Sequence, residues 1–186
     1  MSLRATTFGS SLLLLIAGGT AGLAAQQRVF EIRPAGRVMY VSLDTVDTPS
    51  GYQAAPLTVY RALREVYRSL DIPVTFQDSV TGRLGNLGTP MRKIAGKRMS
   101  TWVRCGEGMT GPYADIHRVT ISVISWVRAA TLDSAVVRTG VFAGAVDVAE
   151  GTGQMPRQCT TTGLLEDLLR TRLQQLLAAA EKAGVD

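Results

Sequence analysis

The sequence predicts an α+β protein: a two-layer sandwich in which helices at 56–70 and 162–180 pack on one face of an antiparallel sheet of about four to six strands. Three observations predict it. Two segments carry apolar residues at three-and-four spacing, the stretches between them alternate with period two, and the only two cysteines stand at structural junctions. A chain of 186 residues with 46% hydrophobic and 19% charged residues fits one domain with a real core and excludes global disorder.

Residues 1–25 read as an export signal. Arg4 supplies the positive start, Leu12 to Ala17 an apolar stretch, and small residues follow, with cleavage expected after Ala24 or Ala25. The competing reading is an N-terminal membrane anchor, but the apolar stretch is shorter than the ~20 residues a spanning helix needs. The mature chain is therefore expected in the periplasm or outside the cell, with no stable membrane span after cleavage. Seventeen Arg against three Lys read as the base composition of a bacterial genome rather than as a functional signal. In an oxidising compartment Cys105 and Cys159 read as a disulfide. Such a bridge would join the last helix to the middle of the sheet and stabilise the fold by about 4 kcal/mol.

Residues 26–35 read as a lead-in segment, 36–182 as a single domain and 183–186 as a tail. A strand is expected at 38–43. Pro56 opens the first helix, because its missing N–H costs nothing in a first turn, and Val59, Tyr60, Leu63, Val66, Tyr67 and Leu70 form its apolar face. Pro73 closes it. Ile72, Val74 and Phe76 then alternate as a strand. Gly82, Gly85 and Gly88 recur at every third residue; without a Gly-Lys-Ser/Thr ending they read as a hairpin connection rather than a phosphate nest.

In the strand expected before Cys105, Met99, Thr101, Val103 and Cys105 share one face, and Ser100, Trp102 and Arg104 the other. Residues 106–112 are a loop and the best candidate for a functional rim. Segments 116–128 and 134–148 make a long antiparallel hairpin, with Val119, Ile121, Val123 and Val127 inward and Ile124 and Trp126 on a second, partly covered face. Residues 150–156 form a flexible loop. Thr160, Thr161 and Thr162 supply the cap of the last helix, whose first turn holds Glu166 and Asp167 and whose leucine stripe packs on the sheet. This order of elements is similar to that of helix-grip modules of bacterial envelope proteins, a likeness of layout that carries no site residues.

The chemistry is sparse. His117 is the only histidine, which excludes a histidine-rich zinc site within one chain; two distant cysteines add no zinc motif. No metal, cofactor or catalytic residue is assigned. Cys105 with His117 would be a thiol–imidazole pair only without the disulfide. A Ser–His–Asp set using Asp115 or Asp133 has no nucleophile elbow behind it. Glu107 and Asp115 flank the 106–112 loop and are the candidate acids of a periplasmic hydrolase.

The strongest polar signal is charge. Between Arg61 and Arg104 stand nine basic and three acidic residues, net +6, whereas the chain from Cys105 onward is net −2. Arg92, Lys93, Lys97 and Arg98 are the candidate anion- or partner-binding residues. No nucleic-acid motif accompanies them. The expectation is an exported, non-catalytic binding domain of the bacterial envelope, meeting an anionic envelope component or a protein partner through 61–104. The alternatives are the hydrolase and a structural subunit that oligomerises through a strand edge.

Overall fold

A computed structural model describes residues 29–32, 38–42, 48–147 and 156–183. The expected export segment 1–25 lies outside them, as does the loop expected at 150–156 apart from Pro156. The described chain runs β1 (Val29–Ile32), β2 (Met39–Ser42), β3 (Ser50–Tyr52), α1 (Pro56–Ser69), β4 (Phe76–Asp78), β5 (Arg83–Gly85), β6 (Thr89–Met91), β7 (Lys93–Ile94) and β8 (Lys97–Arg98). After a 3-10 turn at Met99–Thr101 come β9 (Val103–Arg104), β10 (Glu107–Gly108), β11 (Gly111–Pro112), α2 (Tyr113–Ile116), β12 (Arg118–Ala129), β13 (Ala135–Val146), β14 (Arg157–Thr161) and α3 (Leu164–Ala183).

The fold is α+β, as the patterning predicts, and its centre is the β12–β13 hairpin. The two strands pair without a break from Arg118↔Val146 to Ala129↔Ala135. β12 is buried on both faces from Ile121 to Val127, because its β-branched and aromatic residues fill both pleats. One face meets the helices. Val119, Ile121, Val123 and Val127 join Val59, Leu63, Val66 and Tyr67 of α1 and Leu165, Leu169 and Leu173 of α3 in a single core. The other face carries Ile124 and Trp126, which pack with Ile32 of β1 and against Met39, Phe76 and Phe142. β1, paired with β2, lies within the segment read as lead-in, so that segment holds a structural strand.

The sheet has eight strands, more than expected, because each flank of the hairpin is built from two short pieces. β5 and β6 share one edge of β12, and β3 and β14 share the opposite edge of β13. β4 and β9 close the two sides. The break between β5 and β6 falls at Asn86, the chain's only asparagine. It is fully buried: its N–H donates to the Val123 carbonyl at 2.9 Å, and its Oδ1 accepts the Val123 N–H at 3.2 Å. The side chain thus substitutes for a strand residue and keeps the ladder's polar groups satisfied.

Three local expectations need correction. Residues 82–88 are not a loose connection. Gly82 and Gly85 have positive φ (69° and 153°), and a Cβ there would stand 2.0 Å from the Val127 oxygen and 2.1 Å from the Val123 oxygen. These glycines let β5 lie directly on β12. Ile72 to Phe76 is not one strand, since pairing starts only at Phe76. Asp71 is left-handed (φ 56°) and Pro73 has no N–H to give a ladder. The alternation from Met99 to Cys105 also fails: the 3-10 turn rotates the chain so that Met99, Trp102 and Val103 are all buried.

α1 starts at Pro56 as expected, and the buried Tyr67 hydroxyl meets Ser125 Oγ at 2.8 Å, which in turn meets Thr139 Oγ1 at 2.7 Å. Burial pushes the Tyr67 phenol well above its ordinary pKa, so it stays a neutral partner in this bridge. The last helix begins two residues later than expected. Thr161 and Thr162 Oγ1 accept the N–H groups of Gly163 and Leu164 at its mouth. The helix then runs on to Ala183, leaving 184–186 outside the described residues.

Cys105 and Cys159 form the expected disulfide, with Cα atoms 4.2 Å apart. The β14–β9 register pairs Thr160 with Arg104 and Thr161 with Val103, and its continuation sets Cys159 opposite Cys105. The bond therefore ties the edge strand β9 to β14, not the last helix to the middle of the sheet. α3 is attached separately, through the Thr162 hydroxyl donating to the carbonyls of Thr101 (2.9 Å) and Trp102 (3.0 Å). Among the described residues no helix is long and apolar enough to cross a membrane.

Gly85→Ala is expected to destabilise the domain by about 2–4 kcal/mol, since backbone atoms of β12 cannot retreat from the added methyl. Gly51→Ala, on β3 with open space around it and no positive φ, is the control and should leave the urea midpoint almost unchanged.

Candidate functional site

β7 and β8 form a small hairpin around Ala95 and Gly96, both left-handed (φ 49° and 73°), the backbone signature of a tight two-residue turn. The hairpin is anchored from beneath. Ile94 is fully buried, Met99 follows β8 into the core, and the Ala95 N–H donates to the Leu70 carbonyl at the end of α1 at 3.2 Å. With the apolar residues turned inward, Arg92, Lys93, Lys97 and Arg98 are left exposed on the outer side.

The structure brings these four residues together and adds a fifth. Lys93 and Arg98 are directly paired across the hairpin. β6 pairs Met91 with Val119, and the next step of that register sets Arg92 opposite Arg118. In the β7–β8 ladder a cation thus faces a cation, an arrangement that costs stability, and Arg92 and Arg118 lie one step past the β6–β12 ladder. Among the described residues none of the five makes an ion pair. Some cations elsewhere are partnered: Arg68 pairs with Glu65 at 2.6 Å and Arg170 with Asp167, while Arg128 lies 4.7 Å over the Trp126 ring. In the hairpin only Lys97 has such a contact, with its Nζ 5.8 Å from the Trp102 ring centroid.

Arg118 is the residue that sequence reasoning misses. It stands alone in sequence at the start of a long strand, and only the pairing register carries it to Arg92. Arg92 and Arg118 line a cleft of about 440 Å³ with Met91, Ile116, His117 and Asp115.

The rim expected at 106–112 is a miniature hairpin of β10 and β11, with Met109 fully exposed at its tip. Gly106 and Gly108 lie flat on the Tyr113 ring, and a Cβ at Gly108 would stand 2.8 Å from it. Tyr113 continues a stack: the Arg157 guanidinium is 4.7 Å from one ring centroid, and His117 stacks at 4.6 Å. His117 Nε2 is 3.5 Å from Asp147 Oδ2, and its side chain is only 7% exposed. The sole histidine thus stands at the α2–β12 junction, stacked on Tyr113 and lining the cleft with little of its side chain exposed.

The catalytic alternatives find little support in this geometry. The disulfide removes the Cys105 thiol from any pairing with His117. Both Asp115 oxygens are engaged by Ser100: Oδ1 accepts its N–H at 3.0 Å and Oδ2 its hydroxyl at 2.7 Å. Glu107 is exposed on β10. Among the described residues no group of three His, Cys, Asp or Glu side chains is placed to hold a metal ion. The strand-edge alternative meets edges of only three residues at β4 and two at β9.

Comparison with known proteins finds no matching family, no matching curated protein and no matching solved structure.

Asp115 holds the 3-10 turn that carries Met99 into the core. Asp115→Ala should therefore lower unfolding free energy by about 1–3 kcal/mol through the orphaned Ser100 N–H. An unchanged thermal midpoint would return Asp115 to the list of carboxylates free for chemistry.

Proposed function

We propose that this chain is an exported, non-catalytic binding domain of the bacterial cell envelope that engages an anionic envelope surface through the β7–β8 hairpin. The observation that carries this reading is the exposed row Arg92, Lys93, Lys97 and Arg98, four cations without counter-ions among the described residues, held on a hairpin whose apolar residues are locked into the core. Like charges kept side by side cost the free protein stability and are relieved when an anion arrives. A solvated charged face needs no such anchoring.

The disulfide supports an oxidising compartment, periplasmic or extracellular, which accords with export directed by residues 1–25. A basic patch in that compartment meets the anionic head groups of envelope lipids before it meets nucleic acid. Each cation near such a surface contributes roughly 1 kcal/mol at moderate ionic strength. The patch as a whole supports salt-sensitive, reversible association.

The test uses the disulfide-intact protein and vesicles of phosphatidylethanolamine with or without phosphatidylglycerol. Replacing Arg92, Lys93, Lys97 and Arg98 together by Gln should weaken co-sedimentation with the anionic vesicles by about 3–4 kcal/mol and flatten its salt dependence. The thermal midpoint should hold or rise as the repulsion is removed. Equal retention of wild type and the fourfold variant at low salt would contradict the reading.

A further inference from the structure

The cleft beside the hairpin holds a more selective feature than the exposed row. Arg92 follows directly after β6 and Arg118 begins β12, so the two stand one step past the last pair of these strands, Met91↔Val119. Residues opposite one another on paired strands hold their Cβ atoms roughly 5 Å apart, and these two arginines lie one step beyond such a pair. Both line the same cleft of about 440 Å³, and neither has a carboxylate partner among the described residues. The one acid on its wall, Asp115, already spends both oxygens on Ser100. Met91, Ile116 and Pro90 supply an apolar wall to the same space.

We propose that this cleft is a binding site for the phosphate group of an organic phosphate, gripped between Arg92 and Arg118. The donor inventory favours phosphate over carboxylate. Each guanidinium presents five N–H donors in a planar fork, and two forks together exceed what the two oxygens of a carboxylate accept. A phosphate offers three or four oxygens, enough for a bidentate contact with each arginine, and its charge answers both cations. The apolar wall would cover the carbon part of the ligand next to the phosphate.

This inference deepens the reading of the chain as an anion-binding envelope domain and rests on it, with Arg92 common to both. Arg118 belongs to the cleft alone, and Lys93, Lys97 and Arg98 to the exposed row alone. That division separates the two tests.

The experiment is calorimetric titration of the disulfide-intact protein with two probes, inorganic phosphate and a short-chain phosphatidate kept below its micellar concentration. Wild type should bind phosphatidate, and Arg118→Gln should weaken it by tenfold or more, the loss expected for one charge-assisted bidentate contact. The Lys93→Gln, Lys97→Gln, Arg98→Gln triple variant should lose no more than about threefold, its cations acting only at a distance. Phosphatidate binding tighter than phosphate would identify the apolar wall as part of the site; equal binding would identify the phosphate group as the whole determinant. In a parallel melting experiment, phosphate ligand should raise the midpoint of wild type but not that of Arg118→Gln. Because Arg118 is exposed and its loss relieves repulsion, the variant is expected to fold. No saturable binding of either probe, or binding that is unchanged in Arg118→Gln, would overturn the proposal. Hairpin-dependent vesicle binding would then still stand on its own.

Discussion

The main sheet of this fold is registered against one uninterrupted ladder, the twelve-pair match of β12 with β13. Because side chains alternate, a slip of one residue would send Ser125 away from Tyr67 and turn Ile124 and Trp126 toward the helices. The buried Tyr67–Ser125–Thr139 bridge holds the correct register from the helix side, where a hydroxyl left without partner would be expensive. On the other edge of β12, Asn86 fixes the docking of the β5–β6 flank, and Gly82 and Gly85 permit contact at a separation no other residue allows. These are independent devices with one outcome, a fixed central hairpin on which short strands can dock.

The charge arrangement is a consequence of that register. Arg92 and Arg118 line one cleft because they flank the last pair of β6 with β12, and Lys93 meets Arg98 because a two-residue turn leaves no other pairing. Neither juxtaposition helps the isolated domain. A sequence free to choose its surface would separate these charges or interleave acids, as α1 and α3 do with Glu65 and Asp167. Their placement on a hairpin anchored in the core is the feature on which the proposed anion binding rests.

The large periodic features were legible in the sequence. Pro56 and its apolar face and the central hairpin with its second buried face follow from strong local patterns, and the Cys105–Cys159 bond follows from there being only two cysteines in a chain read as exported. What was not legible depends on contacts between distant segments. Glycines at 82 and 85 look like loop residues until β12 lies against them. Met99 to Trp102 look like a strand because nothing local reveals that Asp115 reaches back to Ser100. The same holds for the candidate site: Arg92, Lys93, Lys97 and Arg98 stand out as a cluster in the chain, whereas Arg118 joins them only through strand pairing. β1 was missed because four residues of alternation are too short to separate from a lead-in, and its burial is visible only through Ile32 against Trp126.

The most direct measurement of the central claim, that paired cations beside the β7–β8 hairpin form the binding surface, is a map of amide chemical shifts during titration with a phosphate-bearing ligand. Shifts confined to residues 91–98 and 115–119, saturating together, are the predicted result. Shifts centred on the 106–112 rim, or none at all on this hairpin, would contradict the account.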